Sequence, residues 1–354
     1  MENMVNEGFW SNKRVLVTGH TGFKGSWLFY WLRMLGAEVH GYSLAPLNEP
    51  SLFDELKLQS KTNSDIGNVL DLVRLSKKLK EVKPDIVFHL AAQPLVRRSY
   101  IEPSLTWQTN VLGTINLMES IRQLSGRIAV VIVTTDKVYE NREWEYAYRE
   151  TDALGGYDPY SSSKAGCEIA VSSWRSSFFR DSEINMATAR AGNVIGGGDW
   201  SEDRIVPDLV KAATKGEELI VRNGSSIRPW QHVLDPLGGY LELGRKLFES
   251  NEPSLQSSFN FGPSEQSFRT VADLVNTSFK TMPGTWKQVS DTSSPHEAKL
   301  LSLTIQKAKQ TLGWSPRWDF EVSVSKTMQW YKMHNEGVSA RELVSKQIAE
   351  YTAS

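Results

Sequence analysis

The sequence predicts an α/β protein with a doubly wound parallel sheet, followed by a smaller mixed α/β lobe. Two observations predict the sheet: short apolar runs alternate with helical segments, and the first run leads into three glycines at every third position. Alternating strands and helices are typical of a parallel sheet that helices cover on both faces. The chain has 354 residues, which exceeds the usual size of a single core, so a second unit is expected.

The first strand, residues 13–18, ends at a glycine turn. Gly19, Gly22 and Gly25 precede an apolar stretch of helical period from Trp27 to Leu35. Glycine lets the backbone approach a ligand closely, and the N–H groups at a helix start favour an anion. In a strand–turn–helix unit this spacing predicts a dinucleotide pyrophosphate site.

Further elements follow in alternation and predict two units. Strands are expected at residues 37–43, 63–67, 84–92, 127–134, 185–191 and 219–222, and helices at residues 71–81, 105–124, 160–174, 235–248, 271–280, 304–312 and 320–335. Residues 1–192 are predicted to form the dinucleotide-binding domain. Residues 193–354 are predicted to form mainly a substrate-binding lobe, with segments free to return to the sheet. Right-handed crossovers place the carboxyl ends of the strands at one edge, where ligands bind.

Composition narrows the class of protein. The net charge of −1 argues against nucleic acid or a membrane surface as a partner. The sequence has no apolar run as long as a membrane span and no apolar signal core at its start. Cys167 is the one cysteine, which excludes an internal disulfide and a multi-cysteine metal site. A cytoplasmic enzyme or binding protein without a metal is expected.

The helix predicted over residues 160–174 carries a tyrosine and a lysine four residues apart. Tyr160 and Lys164 therefore share one face of that helix. A free tyrosine has a pKa near ~10, and a neighbouring cation stabilises the phenolate. Tyr160 is therefore predicted to take a hydroxyl proton. The alternative is an exposed pair on an amphipathic helix, but the position after a fifth strand and a glycine turn favours catalysis.

These motifs together resemble the extended short-chain dehydrogenase/reductase family, which implies a Rossmann fold and a nicotinamide cofactor. The end of the fifth strand narrows the resemblance, because Thr135, Asp136 and Lys137 match the reacting positions of the nucleotide-sugar 4,6-dehydratases. Polar residues at strand ends of this fold sit where ligands bind. The alternative is that Asp136 and Lys137 form a solvated turn.

Lys137 stands where many dTDP-sugar enzymes of this group have glutamate. It resembles the branch whose substrate is CDP-D-glucose, as do the stretches at residues 22–27, 91–97, 191–200, 226–233 and 295–298. The resemblance implies oxidation at C4, elimination of water across C5 and C6, and return of the hydride to C6. It assigns Tyr160 to the C4 hydroxyl proton, Thr135 to a hydrogen bond with the C4 oxygen, and Asp136 to the C6 hydroxyl as acid. Lys137 is expected to be the base at C5, for which its pKa would have to fall.

The resemblance also implies the cofactor contacts. They are Gly19, Thr21, Gly22, Phe23, Lys24, Gly25, Ser43, Asp65, Ile66, Leu90, Ala91, Gln93, Tyr160 and Lys164. An acidic residue that holds the ribose 2′-OH is expected at the end of the second strand, but residues 40–43 contain no carboxylate. Ser43 is the substitute hydrogen-bonding group. NAD is the expected cofactor, and NADP stays open.

Substrate contacts come from the same resemblance. Asn193, Arg204 and Arg228 are expected at the diphosphate, and Arg222 and His296 at the cytidine end. An isolated arginine is otherwise a surface charge. His89 and His232 are expected to be structural. Cys167 is expected to pack within its helix rather than act as a nucleophile.

Two other functions stay open. A nucleotide-sugar 4-epimerase or reductase of the same fold uses the tyrosine and lysine but does not need Asp136 and Lys137. A non-catalytic dinucleotide sensor would lack the tyrosine. Relatives pair through two helices, so a homo-oligomer (a dimer or a dimer of dimers) through residues 105–124 and 161–174 is expected. A deoxysugar of a surface polysaccharide, such as the O-antigen of lipopolysaccharide, is the implied end product.

Overall fold

A seven-stranded parallel sheet forms the centre of the protein. The computed structural model describes residues 7–59, 63–289 and 301–354. The strands are β1 (Arg14–Thr18), β2 (Glu38–Ser43), β3 (Asn63–Ile66), β4 (Ile86–His89), β5 (Ile128–Val133), β6 (Ile184–Ala191), β7 (Val194–Ile195), β8 (Leu219–Val221), β9 (Ile227–Pro229), β10 (Gln231–His232), β11 (Ser258–Phe261), β12 (Phe268–Thr270) and β13 (Trp286–Gln288). The sheet order is β11-β6-β5-β4-β1-β2-β3, and β10-β7, β12-β9 and β13-β8 form small pairs beside it. The predicted doubly wound parallel sheet is confirmed.

Helices cover both faces of this sheet. They are α1 (Glu7–Trp10), α2 (Phe23–Met34), α3 (Leu52–Glu55), α4 (Leu72–Val82), α5 (Val96–Ile101), α6 (Pro103–Trp107), α7 (Gly113–Ile121), α8 (Pro159–Trp174), α9 (Ile205–Lys215), α10 (Leu234–Glu249), α11 (Val271–Ser278), α12 (Phe320–Asn335) and α13 (Ala340–Ala353). Alternate strand residues enter opposite cores: Val15 and Val17 pack with Trp27 of α2, while Leu16 packs with Leu75 of α4. Burial on both faces is why the strands read as continuous apolar runs.

The structure corrects several predicted elements. The helix expected over residues 105–124 is present as one helical run of α6, a π-helical turn over Gln108–Leu112, and α7, and it ends at Ile121. The helices α1, α3, α5, α9 and α13 have no counterpart in the predicted set. The π-turn places Asn110 inward, where its side chain bonds to Gln93 and Ser163. These tertiary bonds outweigh the helical period of the local sequence.

The chain returns to the sheet after it has entered the second unit. β11 pairs in parallel with β6, from Ser258 opposite Thr188 to Phe261 opposite Ala191. The helix α10 precedes β11 and packs against β4, β5 and β6. Residues 234–261 are therefore part of the sheet layer, although they lie beyond position 192. The other strands beyond residue 192 form the three small pairs β10-β7, β12-β9 and β13-β8.

A buried ion pair joins the strand ends to α8. The carboxylate of Glu168 accepts hydrogen bonds from Thr134 Oγ1 at 2.5 Å, Thr188 Oγ1 at 2.8 Å, Arg190 Nη2 at 2.8 Å and Ser258 Oγ at 3.0 Å. Burial alone would raise the pKa of Glu168, but Arg190 and the hydroxyl donors hold it below its usual value. One side chain thus connects α8 with β6, β11 and the segment after β5.

Among the described residues, every helix is too short or too polar to span a bilayer.

Arg190→Met is expected to lower the free energy of unfolding by about 3–5 kcal/mol, because it leaves the Glu168 charge buried without its partner. Urea unfolding measures the loss. Adding Glu168→Gln removes both charges, so the double variant should regain part of that stability. Lys77→Met removes an exposed ion pair with Glu81 and serves as the control, with a change below about 0.5 kcal/mol. A loss below about 1 kcal/mol in Arg190→Met would contradict the importance of the pair.

Candidate active site

The glycine turn after β1 forms an open anion site. Gly19 has a φ of +75°, and a Cβ there would lie 2.6 Å from the backbone nitrogen of Ala91. A Cβ on Gly25 would overlap the carbonyl oxygen of Gly19. The helix α2 begins after Gly22 without a side-chain cap, so the N–H groups of its first turn are available to an anion.

The predicted cofactor residues lie along the same edge of the sheet. Thr21 Oγ1 lies 2.9 Å from Ser43 Oγ and donates to the carbonyl of Leu44. The backbone N–H of Gln93, after β4, donates to Asn110 Oδ1 at 2.8 Å. Leu90 and Ala91 directly follow β4, and Asp65 and Ile66 end β3. Asp65 forms an ion pair with Lys78, a contact that the sequence reasoning missed.

The helix α8 presents Tyr160 and Lys164 to the end of β5. Asp158 caps α8 by accepting from the N–H of Ser161 at 3.0 Å. Lys164 Nζ donates to the carbonyl of Val133 at 3.1 Å. Tyr160 forms a side-chain hydrogen bond with Thr135, but burial raises the pKa of Tyr160 to about 12. The opposing effects come from the Thr135 hydrogen bond and the charge of Arg204, and the lowering expected from Lys164 is not among the main causes of the shift in the Tyr160 pKa.

Asp136 is fully buried beside Tyr160 and has one free oxygen. Its Oδ1 accepts from Thr135 Oγ1 at 2.9 Å and from Lys137 Nζ at 3.3 Å. Its Oδ2 is buried and has no hydrogen-bond partner among the described residues. A Cβ on Gly192 would lie 2.5 Å from Oδ2, so glycine is required there. A buried carboxyl oxygen without a partner is costly unless a ligand satisfies it.

The predicted substrate residues have different surroundings. Arg204 forms an ion pair with Asp199 at 2.9 Å, and its charge also acts on Tyr160. Asn193 Oδ1 is buried without a partner among the described residues. Arg222 forms an ion pair with Asp203 at 3.4 Å.

Of three further basic residues, two were predicted to contact the substrate and one was not. Arg97, which the sequence reasoning missed, forms a second ion pair with Asp203 at 3.4 Å. Arg228 lies in β9 opposite Arg269 of β12. His296 falls between residues 289 and 301, outside the described residues.

Buried His89 joins β4 to β1 and to α7. Its Nδ1 lies 2.6 Å from Thr18 Oγ1, and its Nε2 lies 3.1 Å from Thr114 Oγ1. Burial lowers the pKa of His89 to about 3, so the imidazole is neutral. Thr114 donates its own proton to the carbonyl of Asn110, which makes Nε2 the protonated nitrogen of His89. The geometry supports a structural role.

The fold and the site together define a dinucleotide-binding protein. At the carboxyl end of β5 it carries the buried carboxyl group of Asp136, the amine of Lys137 and the phenol of Tyr160. The model of the family described as GDP-mannose 4,6 dehydratase matches residues 16–327. CDP-glucose 4,6-dehydratase of Salmonella typhimurium is 43% identical over 359 residues, which cover 99% of this chain and 99% of the relative. UDP-glucose 4-epimerase of Mycoplasma pneumoniae is 27% identical over 321 residues, covering 86% and 93%.

Solved structures share the fold. An epimerase from Methanothermobacter thermautotrophicus superposes with a TM-score of 0.79 at 23% identity and covers 98% of each chain. The dTDP-glucose 4,6-dehydratase of Bacillus anthracis, solved in complex with NAD, superposes with a TM-score of 0.76 at 22% identity, covering 91% and 97%. The chain belongs to the GDP-mannose 4,6 dehydratase family, among the nucleotide-sugar dehydratases of the extended short-chain dehydrogenase/reductase type. The predicted family is confirmed.

Proposed function

We propose that this chain is a CDP-D-glucose 4,6-dehydratase that uses NAD and forms CDP-4-keto-6-deoxy-D-glucose. The observation that carries the proposal is Asp136: its Oδ1 accepts from Thr135, the hydrogen-bond partner of Tyr160, and from the amine of Lys137, while its Oδ2 is buried without a partner among the described residues. An epimerase needs only the tyrosine and its lysine. An acid and an amine at the same place suit the elimination of water. The relative from Salmonella typhimurium supports the choice of sugar nucleotide.

The residues at the glycine turn suit NAD. The uncapped start of α2 and the close approach at Gly19 suit a pyrophosphate. Ser43 ends β2 and supplies a hydroxyl where a carboxylate is usual. When bound, NAD takes the C4 hydrogen of the hexose as hydride and returns it to C6, so no cofactor is consumed.

Tyr160 takes the proton from the C4 hydroxyl, and Thr135 hydrogen-bonds to the same oxygen. The pKa of about 12 must therefore fall when the site is filled. Lys164 lies on the same face of α8, where a cation would stabilise the Tyr160 phenolate, and burial lowers the pKa of Lys164 itself. Its bond to the carbonyl of Val133 fixes its position.

Asp136 and Lys137 carry out the elimination. Once C4 is a ketone, the C5 hydrogen is acidic because it is α to the carbonyl. Lys137 removes this proton, for which its amine must be neutral. Asp136, in its acid form, donates a proton to the C6 hydroxyl through Oδ2, and water leaves. Asn193, Arg204 and Arg228 hold the diphosphate in this proposal, and Arg222 and His296 flank the cytidine.

Purified protein incubated with CDP-glucose and NAD is expected to form a 4-keto-6-deoxy sugar, measured by its alkali-induced absorbance. UDP-glucose and dTDP-glucose are the controls and should give none. Product from one of these two instead would keep the reaction and overturn the choice of nucleotide. A C4-inverted sugar without ketone accumulation would indicate an epimerase and contradict the proposal.

Asp136→Asn and Lys137→Met separate the acid from the base. Each should slow dehydration by about 10²–10⁴-fold, because each removes one proton-transfer group. Lys137→Met should also stop the exchange of solvent deuterium into C5, whereas Asp136→Asn should retain that exchange. Mass spectrometry of recovered CDP-sugar measures both. Normal C5 exchange in Lys137→Met would exclude Lys137 as the base.

We further propose that two copies pair through residues 105–124 and 161–174. Leu105, Trp107, Leu112 and Ile169 of these segments are exposed although they are apolar, and exposed apolar patches mark interaction surfaces. Light scattering should give twice the mass of the chain. Trp107→Glu with Ile169→Glu should give the monomer mass. A monomeric unmodified protein would contradict the pairing.

A further inference from the structure

Two arginines face each other across a small strand pair of the second unit. Arg228 of β9 lies directly opposite Arg269 of β12 in an antiparallel register. Residues at such positions project from the same face of the pair, with Cβ atoms about 4.5–5.5 Å apart. Like charges placed opposite each other destabilise a strand pair, so this register favours an anion that binds to both side chains.

The described residues supply no carboxylate to Arg269. Its Nη1 donates to the carbonyl of Phe268 at 3.1 Å, and its guanidinium lies 5.8 Å from the centre of the Phe320 ring. The acidic residue Asp273, which follows in the same segment, accepts hydrogen bonds from Thr270 and completes the cap of α11. In the described part of the chain, the partly buried Arg269 therefore has no ion-pair partner.

The strand pair lies beside the reacting residues. A Cβ on Gly192 would lie 3.2 Å from Cγ of Pro229 and 2.5 Å from Oδ2 of Asp136, so Pro229 and Asp136 lie against the same glycine. Pro229 ends β9 and directly follows Arg228. The pair of arginines therefore begins one residue from a side chain that packs near the catalytic acid.

We propose that Arg269 binds the diphosphate of the sugar nucleotide together with Arg228. This inference rests on the proposed function, in which Arg228 contacts that diphosphate. A diphosphate carries several negative charges, and guanidinium groups bind phosphate oxygens in a bidentate way. Its binding replaces the repulsion between the two arginines with attraction to a common anion. The sequence carries no signal for this role, because Arg269 meets Arg228 only through the register of the two strands.

A purely structural role for Arg269 predicts different behaviour. A cation over the ring of Phe320 stabilises the fold by itself, so its removal lowers stability with or without a nucleotide. A cation that faces Arg228 without an anion destabilises the free protein instead. The stability of the free protein and its affinity for the nucleotide therefore separate the two roles.

The test is binding of CDP and, separately, of NADH by calorimetry, for the unmodified protein, Arg269→Met and Arg269→Lys. Arg269→Met keeps an apolar side chain over Phe320 and removes the charge. It should bind CDP about 10–100-fold more weakly, as expected for the loss of a charged hydrogen-bond donor, and should bind NADH as before. Arg269→Lys retains the charge but not the planar pair of donors, so its loss should be smaller. Arg180→Met, which removes an exposed arginine beyond α8, is the matched control and should change neither constant.

Urea unfolding of the same variants completes the test. Without a nucleotide, Arg269→Met should unfold at the same urea concentration as the unmodified protein or at a higher one, and CDP should raise its midpoint less. Unchanged CDP affinity with a lower midpoint in the free protein would make Arg269 a structural residue. A loss of NADH affinity with unchanged CDP affinity would assign Arg269 to the cofactor. Either result overturns the inference.

Failure of the proposed function gives a different result. If the unmodified protein does not bind CDP, the choice of sugar nucleotide fails and this inference fails with it. If the unmodified protein converts CDP-glucose to the 4-keto-6-deoxy sugar, and Arg269→Met binds CDP as tightly as the unmodified protein does, this inference alone fails.

Discussion

The Glu168–Arg190 ion pair is the interaction on which the active site depends. Glu168 lies one turn after Lys164 on α8 and accepts a hydrogen bond from Thr134, directly before Thr135. Its partner Arg190 lies two residues before Gly192, against which Asp136 packs. The carboxylate of Glu168 therefore holds α8, which carries Tyr160, to the segment after β5, which carries Asp136. Moving these two charges out of water costs free energy. The pair therefore contributes mainly by fixing the relative positions of the segments that it joins.

Polar and charged groups in the same region differ in whether they have a hydrogen-bonding or ionic partner. Arg190 and Arg204 are each matched by a carboxylate, while Asp136 Oδ2 and Asn193 Oδ1 are buried without partners in the described part of the chain. Buried atoms without a partner also occur elsewhere, as at Arg190 Nε and Asp235 Oδ2, but Asp136 Oδ2 belongs to a residue that contacts Thr135 and Lys137. A carboxyl oxygen in that condition is stabilised only when a ligand enters.

Much of the fold and part of the site could be predicted from the sequence. Strand β5 is a run of valine and isoleucine that is buried on both faces, so its local pattern already specifies it. The π-helical turn within the helix over residues 105–124 was not predictable, because Asn110 turns inward to bond with groups distant in the chain. Nor was the return of β11, since the residue pattern of Ser258–Phe261 does not specify which strand it pairs with.

The sequence by itself determined the first six strands of the sheet in chain order, the glycine turn and the four-residue spacing of Tyr160 and Lys164, since each of these depends on neighbouring residues. Only the tertiary structure decided how these parts act together. Burial, which depends on residues from the whole chain, raises the pKa of Tyr160. The charges of Arg204 and Lys164, which are distant in the chain, help burial to lower the pKa of Lys24. Electrostatic effects depend on distance in space, and that distance exists only once the chain is folded.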